Sequence, residues 1–389
     1  MLKINVGSSD SACAKTAGRE AAAMAKSGLA DVKLAFAYAS VAYDLEKMLA
    51  GISAELPGVP VIGNTSYTGV VTPDGFIGGE DGFVGVMAIS GDSLTVGVAG
   101  SARRDDARTT GRAVALEVMQ KVCKNSPPDF FYMAASPGEE EFYIKGITDV
   151  IGRVPFFGGS AADNSIAGEW SLYTGDGVFP DGVAVAFFYG ASMANLFTGA
   201  YRQTDNVGII TKVRDNRVLE EIDGVPAVKK YAQWAGVDAE SLLGNKLLVY
   251  TINSPLGVKD RLGDLIAIRH PMNGNDDYSM NVGANLAEKT AVIRMEATMD
   301  ELIETASSTL EALKAKMGGK AVAYHLVHCG GRRAVFGDRI DEMAEAVKKA
   351  AGGVPFIMEF TFGEYGFEDD GNNTTGGLML SYTALKGKE

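Results

Sequence analysis

Phe130-Phe131-Tyr132-Met133-Ala134-Ala135-Ser136, then a helical stretch from Glu139 to Ile151, then Arg153-Val154-Pro155-Phe156-Phe157-Gly158, reads as strand, helix and strand in quick succession. The same plan occurs twice more. Upstream it is Lys33 to Ser40 (KLAFAYAS), a helix from Asp44 to Leu56, and Gly58-Val59-Pro60-Val61-Ile62-Gly63. Downstream it is Ala321 to Cys329 (AVAYHLVHC), a helix from Asp338 to Ala351, and Gly353-Val354-Pro355-Phe356-Ile357. Short connections of this kind join parallel strands by right-handed crossovers, so the carboxyl ends of each pair share one edge of a sheet. In the third helix Ile340, Met343, Ala344, Val347 and Ala351 recur at helical spacing, Asp338 is the expected N-cap, and Gly352-Gly353 end it. Each repeated proline opens a strand, where one missing donor is tolerated.

Repetition extends outward from these units. Ala14-Lys15-Thr16-Ala17-Gly18-Arg19 returns as Ala107-Arg108-Thr109-Thr110-Gly111-Arg112, and Asp81-Gly82-Phe83-Val84 returns as Asp181-Gly182-Val183-Ala184, each followed by a further strand. The expected fold is a mixed α/β (α+β) one, of repeated strand-helix-strand units with parallel strands and added antiparallel hairpins. Its amino-terminal half is pseudo-duplicated (about 1–100 and 101–205), and a diverged third copy lies in a second domain, 206–389. Between the copies, Arg217 to Ala227 reads as strand and turn and Val228 to Trp234 as a helix. Leu247 to Ile252, Leu265 to Arg269 and Ala291 to Glu296 read as strands, with a polar turn at Asn273 to Asp277.

Composition narrows the function. With 46% hydrophobic and 22% charged residues among 389, the chain can bury a large core. A net charge of −13 and a pI near 4.9 disfavour nucleic acid and anionic membranes as partners. Cys13, Cys123 and Cys329 show no paired spacing, and the amino terminus lacks a signal-peptide pattern, so a cytoplasmic location is expected. The uncharged run Gly182 to Tyr201 reads as two strands meeting near Gly190, not as a membrane span.

Several stretches resemble the FIST sensory-domain family. They are Pro60 to Ser66 (PVIGNTS), Pro155 to Asp163 (PFFGGSAAD), Leu219 to Ala227 (LEEIDGVPA), Cys329-Gly330-Gly331-Arg332, Phe362-Gly363-Glu364 and Asn372 to Thr375. Their order and spacing, across most of residues 30 to 385, carry the resemblance. It implies a cytoplasmic sensor of a small polar metabolite, an amino acid or similar solute, working with a separate signalling output protein and without a cofactor. One departure is Asn372, which stands where the family often has His.

Ligands of parallel sheets bind beyond the carboxyl ends of the strands. That edge is expected to gather Asn64, Thr65, Ser66, Gly159, Ser160, Asp163, Arg332, Glu364, Asn373 and Thr375, with Arg332 and Glu364 receiving the two ends of a zwitterion. A plain alternative pairs Arg332 with Glu364, lets Asp163 cap a turn, and assigns Gly63, Gly158 and Gly159 to turns of positive φ. An enzyme would need Ser66, Ser160 or Thr375 beside a base, and the edge offers no histidine. Along one strand His325 and Cys329 stand about 13 Å apart and His328 faces the other way, so neither a nucleophilic pair nor a metal site forms there. A ligand-free interaction scaffold is the third reading.

Overall fold

The computed structural model describes residues 1–259, 264–368 and 372–388. Each of the three repeats builds one six-stranded sheet, and each sheet contains the expected parallel pair. In the first, Val32–Ala39 runs parallel to Val61–Thr65; in the second, Phe130–Ala135 to Phe156–Ser160; in the third, Ala323–Cys329 to Phe356–Thr361.

The antiparallel hairpins change places. Gly69–Thr72 and Gly75–Gly78, from the first repeat, complete the third sheet; Leu172–Thr174 and Gly177–Phe179, from the second, complete the first. Glu364–Phe367 and Asn373–Gly376, from the third, complete the second. Each sheet is thus finished by strands of another repeat.

Inward side chains form one core shared by all three sheets. Phe36, Tyr132 and His325 hold equivalent register positions, opposite Ile62, Phe157 and Ile357. Their rings meet with centroids 4.9 Å (Phe36–Tyr132), 5.1 Å (Phe36–His325) and 5.6 Å (Tyr132–His325) apart. The helices cover the outer faces, where Ala35, Ala37 and Ala39 leave room for them. Glycines repeat at the helix crossings for the same reason: a Cβ on Gly18 would stand 2.2 Å from the Met48 carbonyl oxygen, and one on Gly111 2.5 Å from that of Tyr143.

The third repeat is interrupted. Its edge strand Ala191–Thr198 pairs with Leu380–Gly387, but its covering helix, Met299–Met317, begins about a hundred residues later than that strand does. An inserted sheet lies between them, made of Arg202–Arg214, Val218–Ile222, Leu256–Lys259, Ile266–Arg269, Pro271–Gly274, Met280–Val282 and Ala291–Glu296. Leu247 to Ile252, expected as a strand, lies mostly in the helix Lys246–Thr251. Leu247 and Thr251, one turn apart, are its buried positions, and Val249 and Tyr250 face out. Asp338 does not cap the last helix; it sits in a 3-10 turn, Gly337–Arg339, that leads into Ile340–Ala351. Of the three glycines assigned to positive φ, only Gly158 has one, at 144°; Gly63 and Gly159 are instead places of close approach.

No helix among the described residues is long and apolar enough to cross a membrane.

Candidate functional site

The sequence-predicted residues turn inward instead of forming a rim. Asn64 is buried between the repeats, where its Nδ2 donates to Glu359 Oε2 at 2.8 Å and its Oδ1 accepts from the Tyr132 hydroxyl at 2.9 Å. Thr65 donates to the Ser171 carbonyl, and Ser66 to that of Gly69. Gly159 lacks a side chain because Thr361 and Val327 fill the space. Asn373 holds the Val154 carbonyl, and Thr375 pairs with Tyr365 across the hairpin.

Arg332 and Glu364 are fully buried and do not form an ion pair. The Arg332 guanidinium donates to the carbonyls of Gly199 (2.8 Å) and Leu302 (3.2 Å) and to the Thr305 hydroxyl, beneath the Tyr201 ring. It ties the third repeat to its covering helix. Glu364 accepts from Met379 N and the Thr361 hydroxyl, both at 2.8 Å, and burial raises its carboxyl to about 8. Glu359, which the sequence did not single out, is raised to about 8 by the same cause.

A concavity does exist at the expected edge, lined by other residues. A cavity of about 330 Å³ opens where the second and third parallel pairs end beneath the inserted sheet. The repeats contribute Gly138, Glu140, Cys329, Gly331 and Phe362; the inserted sheet contributes Arg217, His270, Met272, Val282 and Gly283. Trp170 and Ile166 close one side from a loop that Asp163 organises, its carboxylate accepting from the backbone N–H of Ser165, Ile166, Ala167, Gly168 and Glu169. Asp163 therefore takes its turn-capping role, one step behind the cavity. Trp170 and Phe362 meet edge to face at 6.1 Å.

Its polar end is a chain of hydrogen bonds. Arg217 reaches both Glu140 and Glu141, each at 2.6 Å, and also donates to Asn285 Oδ1 and the Gly283 carbonyl. Glu140 also accepts from Gly138 N and from the Ser160 hydroxyl, each at 3.0 Å, and Ser160 in turn contacts the Tyr365 hydroxyl at 2.7 Å. Ser160 thus stands one hydrogen bond from the cavity. Burial raises Glu140. It also pushes Glu141 upward, but the Arg217 charge and a bond from Asn285 N outweigh it and hold Glu141 below the usual carboxylate range.

At the other polar positions, burial lowers His270 to about 4, so the ring is neutral. Its Nε2 donates to the Leu248 carbonyl at 3.0 Å. Burial also pushes the Cys329 thiol well above its ordinary value, and its Sγ accepts from Gly331 N and Leu378 N. That environment makes the thiol a poor nucleophile. Among the described residues, no three His, Cys, Asp or Glu side chains group to hold a metal ion.

A family model for the FIST N domain matches residues 33–225, and one for the FIST C domain matches residues 227–366. The chain belongs to the FIST family. FIST domains are described as sensory domains for small ligands. The two matches meet inside the inserted sheet, between Val225–Pro226 and the helix Ala227–Ala235. No curated protein matches the chain. Among solved structures, it is similar over 99% of its length, and all of the other chain, to cyanuric acid hydrolase from A. caulinodans, at 8% identity and a TM-score of 0.41. It also resembles PurLQS from Thermotoga maritima, at 11% identity and a TM-score of 0.25, covering 100% of this chain and 73% of that one.

The sequence motifs of this FIST chain include the cavity residues Cys329, Gly331 and Phe362, but not those of the insertion. Arg217, His270, Met272 and Gly283 lie in the insertion, outside the repeated units. Asn285, two residues past Gly283, binds Arg217 through its side chain and Glu141 through its backbone N–H.

Proposed function

We propose that this FIST protein is a sensor whose ligand, a small metabolite such as an amino acid or a close relative, binds in the cavity between the repeats and the inserted sheet. One observation carries the reading: a mostly apolar enclosure of about 330 Å³ with a few convergent polar groups, the usual form of a small-molecule site. At about 30 Å³ per molecule of liquid water, it displaces roughly ten waters.

The walls belong to two parts of the fold, so a ligand that touches both favours one disposition of the inserted sheet over others. Arg217 and Asn285 connect those parts through Glu140 and Glu141, and a separate output protein reading the inserted sheet would receive the change. The Ser66 hydroxyl donates to the Gly69 carbonyl and not to a base, which leaves it unactivated for hydrolysis.

A thermal-shift screen of amino acids, amines and organic acids tests the proposal. A ligand at a hundred times its dissociation constant adds about 2.7 kcal/mol of stability. If no solute in a broad metabolite set shifts the transition, the sensor reading is wrong.

A further inference from the structure

Charge around the cavity is unbalanced in a way that selects a ligand class. Two carboxylates, Glu140 and Glu141, share the single guanidinium of Arg217. Four of the five N–H donors of that guanidinium are engaged: Nε with Asn285, one on NH1 with Gly283, and both on NH2 with the two glutamates. A ligand carboxylate would find one donor left and would place a third anion beside one cation. A ligand ammonium meets the opposite situation. Glu140, only 3% exposed, accepts one bond on Oε1 and two on Oε2, which leaves a lone pair on Oε1. A second cation there balances the second carboxylate.

His270 adds an independent observation. The residue is only 5% exposed and lines the cavity. A carbonyl only accepts, so the contact with Leu248 fixes the proton on Nε2, and the neutral ring keeps a bare lone pair on Nδ1 without a partner among the described residues. An acceptor of this kind calls for a donor on the ligand. Between these groups stand Trp170, Met272 and Phe362, which suit an apolar body, and aromatic faces favour a cation nearby.

We propose that the cavity selects a small apolar amine, its ammonium on Glu140 and a second hydrogen-bond donor on His270, in preference to a carboxylate or a zwitterion. This rests on the sensor reading of the cavity and replaces the amino acid named there by its close relative, the amine without the carboxylate.

Isothermal titration of the wild-type protein with matched head groups on one body tests it: phenethylamine, phenylalanine and 3-phenylpropionate, and the same three head groups on an isopentyl body. The amine is expected to bind about tenfold or more tighter than the matched acid, with the amino acid between them. Tyramine, which adds a donor, is expected to exceed phenethylamine. Glu140→Gln should weaken the amine by about tenfold and leave neutral 2-phenylethanol unchanged, a comparison that separates lost charge from lost folding. Acid or amino acid binding as tightly as the amine overturns the proposal and leaves the sensor reading standing. Absence of binding by every head group on both bodies also overturns it. The sensor reading itself falls only if the broad metabolite screen is empty as well.

Discussion

Replacing Arg217 by Met removes the guanidinium and keeps most of the side-chain volume, so it tests the connection between the inserted sheet and the second repeat. In the native protein that guanidinium serves Glu140 and Glu141, both at 2.6 Å, while its own side chain is one-fifth exposed. Removing one partner of a buried ion pair costs about 3–5 kcal/mol, because the remaining charge stays desolvated. Partial exposure of the Arg217 side chain places this variant near the lower end, about 3 kcal/mol. Equilibrium urea unfolding, followed by the fluorescence of Trp170 and Trp234, measures the loss. A triple variant that adds Glu140→Gln and Glu141→Gln leaves no uncompensated charge and should recover about 2 kcal/mol of it. A single-variant cost below about 1 kcal/mol, or a triple variant no more stable than the single one, would refute the electrostatic reasoning.

Three other outcomes are expected. Gly18→Ala and Gly111→Ala force a Cβ against carbonyl oxygens at 2.2 and 2.5 Å and should each cost about 1–3 kcal/mol in urea unfolding, whereas Gly319→Ala, with nothing within 4 Å, should be neutral or stabilising. Asp163→Ala deprives five backbone N–H groups of their acceptor, so hydrogen exchange at residues 165–169 should accelerate and ligand affinity fall as Trp170 loosens. Stability should peak at mildly acidic pH. Glu359 and Glu364, at about 8 when folded and about 4.3 unfolded, lose their contribution as pH rises through 8. His270 and His325, at about 4 and about 3 when folded against about 6.5 unfolded, lose theirs as pH falls below 6.5. Glu359→Gln should flatten the decline between pH 6.5 and 8 in denaturation midpoints, and an unchanged slope would contradict the assignment.

The repeats were legible because close packing imposes the same local demands three times. The Val-Pro strand openings, the glycines at two helix crossings and the alternation of Phe36, Tyr38 and Ser40 all follow from one geometry. The interlock of the three sheets was not legible: which sheet a hairpin joins is decided by contacts between residues as distant as Val71 and Met358, and strand chemistry is the same in either place. Polarity misled in the site. Asn64, Arg332 and Glu364 looked like ligand contacts because polar groups usually seek the surface, yet all three are buried: Asn64 bonds to the second and third repeats, Arg332 ties the third repeat to its covering helix, and Glu364 bonds within the third repeat. The residues that do line the cavity are ordinary in sequence. Phe362 stood out only as part of a family motif, Arg217 only as the start of a strand and turn, and Trp170 and Met272 belong to no repeated pattern.

The direct test of the account is to fill the cavity without disturbing its frame. A Cβ on Gly283 would stand 3.8 Å from the His270 carbonyl oxygen and from Met272 Sδ and 4.0 Å from Met272 Cγ, so Gly283→Leu adds a side chain at the cavity wall from ordinary contact. The account predicts stability within about 1 kcal/mol of the native protein and complete loss of the thermal shift given by the best solute from the metabolite screen. A folded Gly283→Leu protein that keeps the full shift would place the ligand elsewhere and contradict the account.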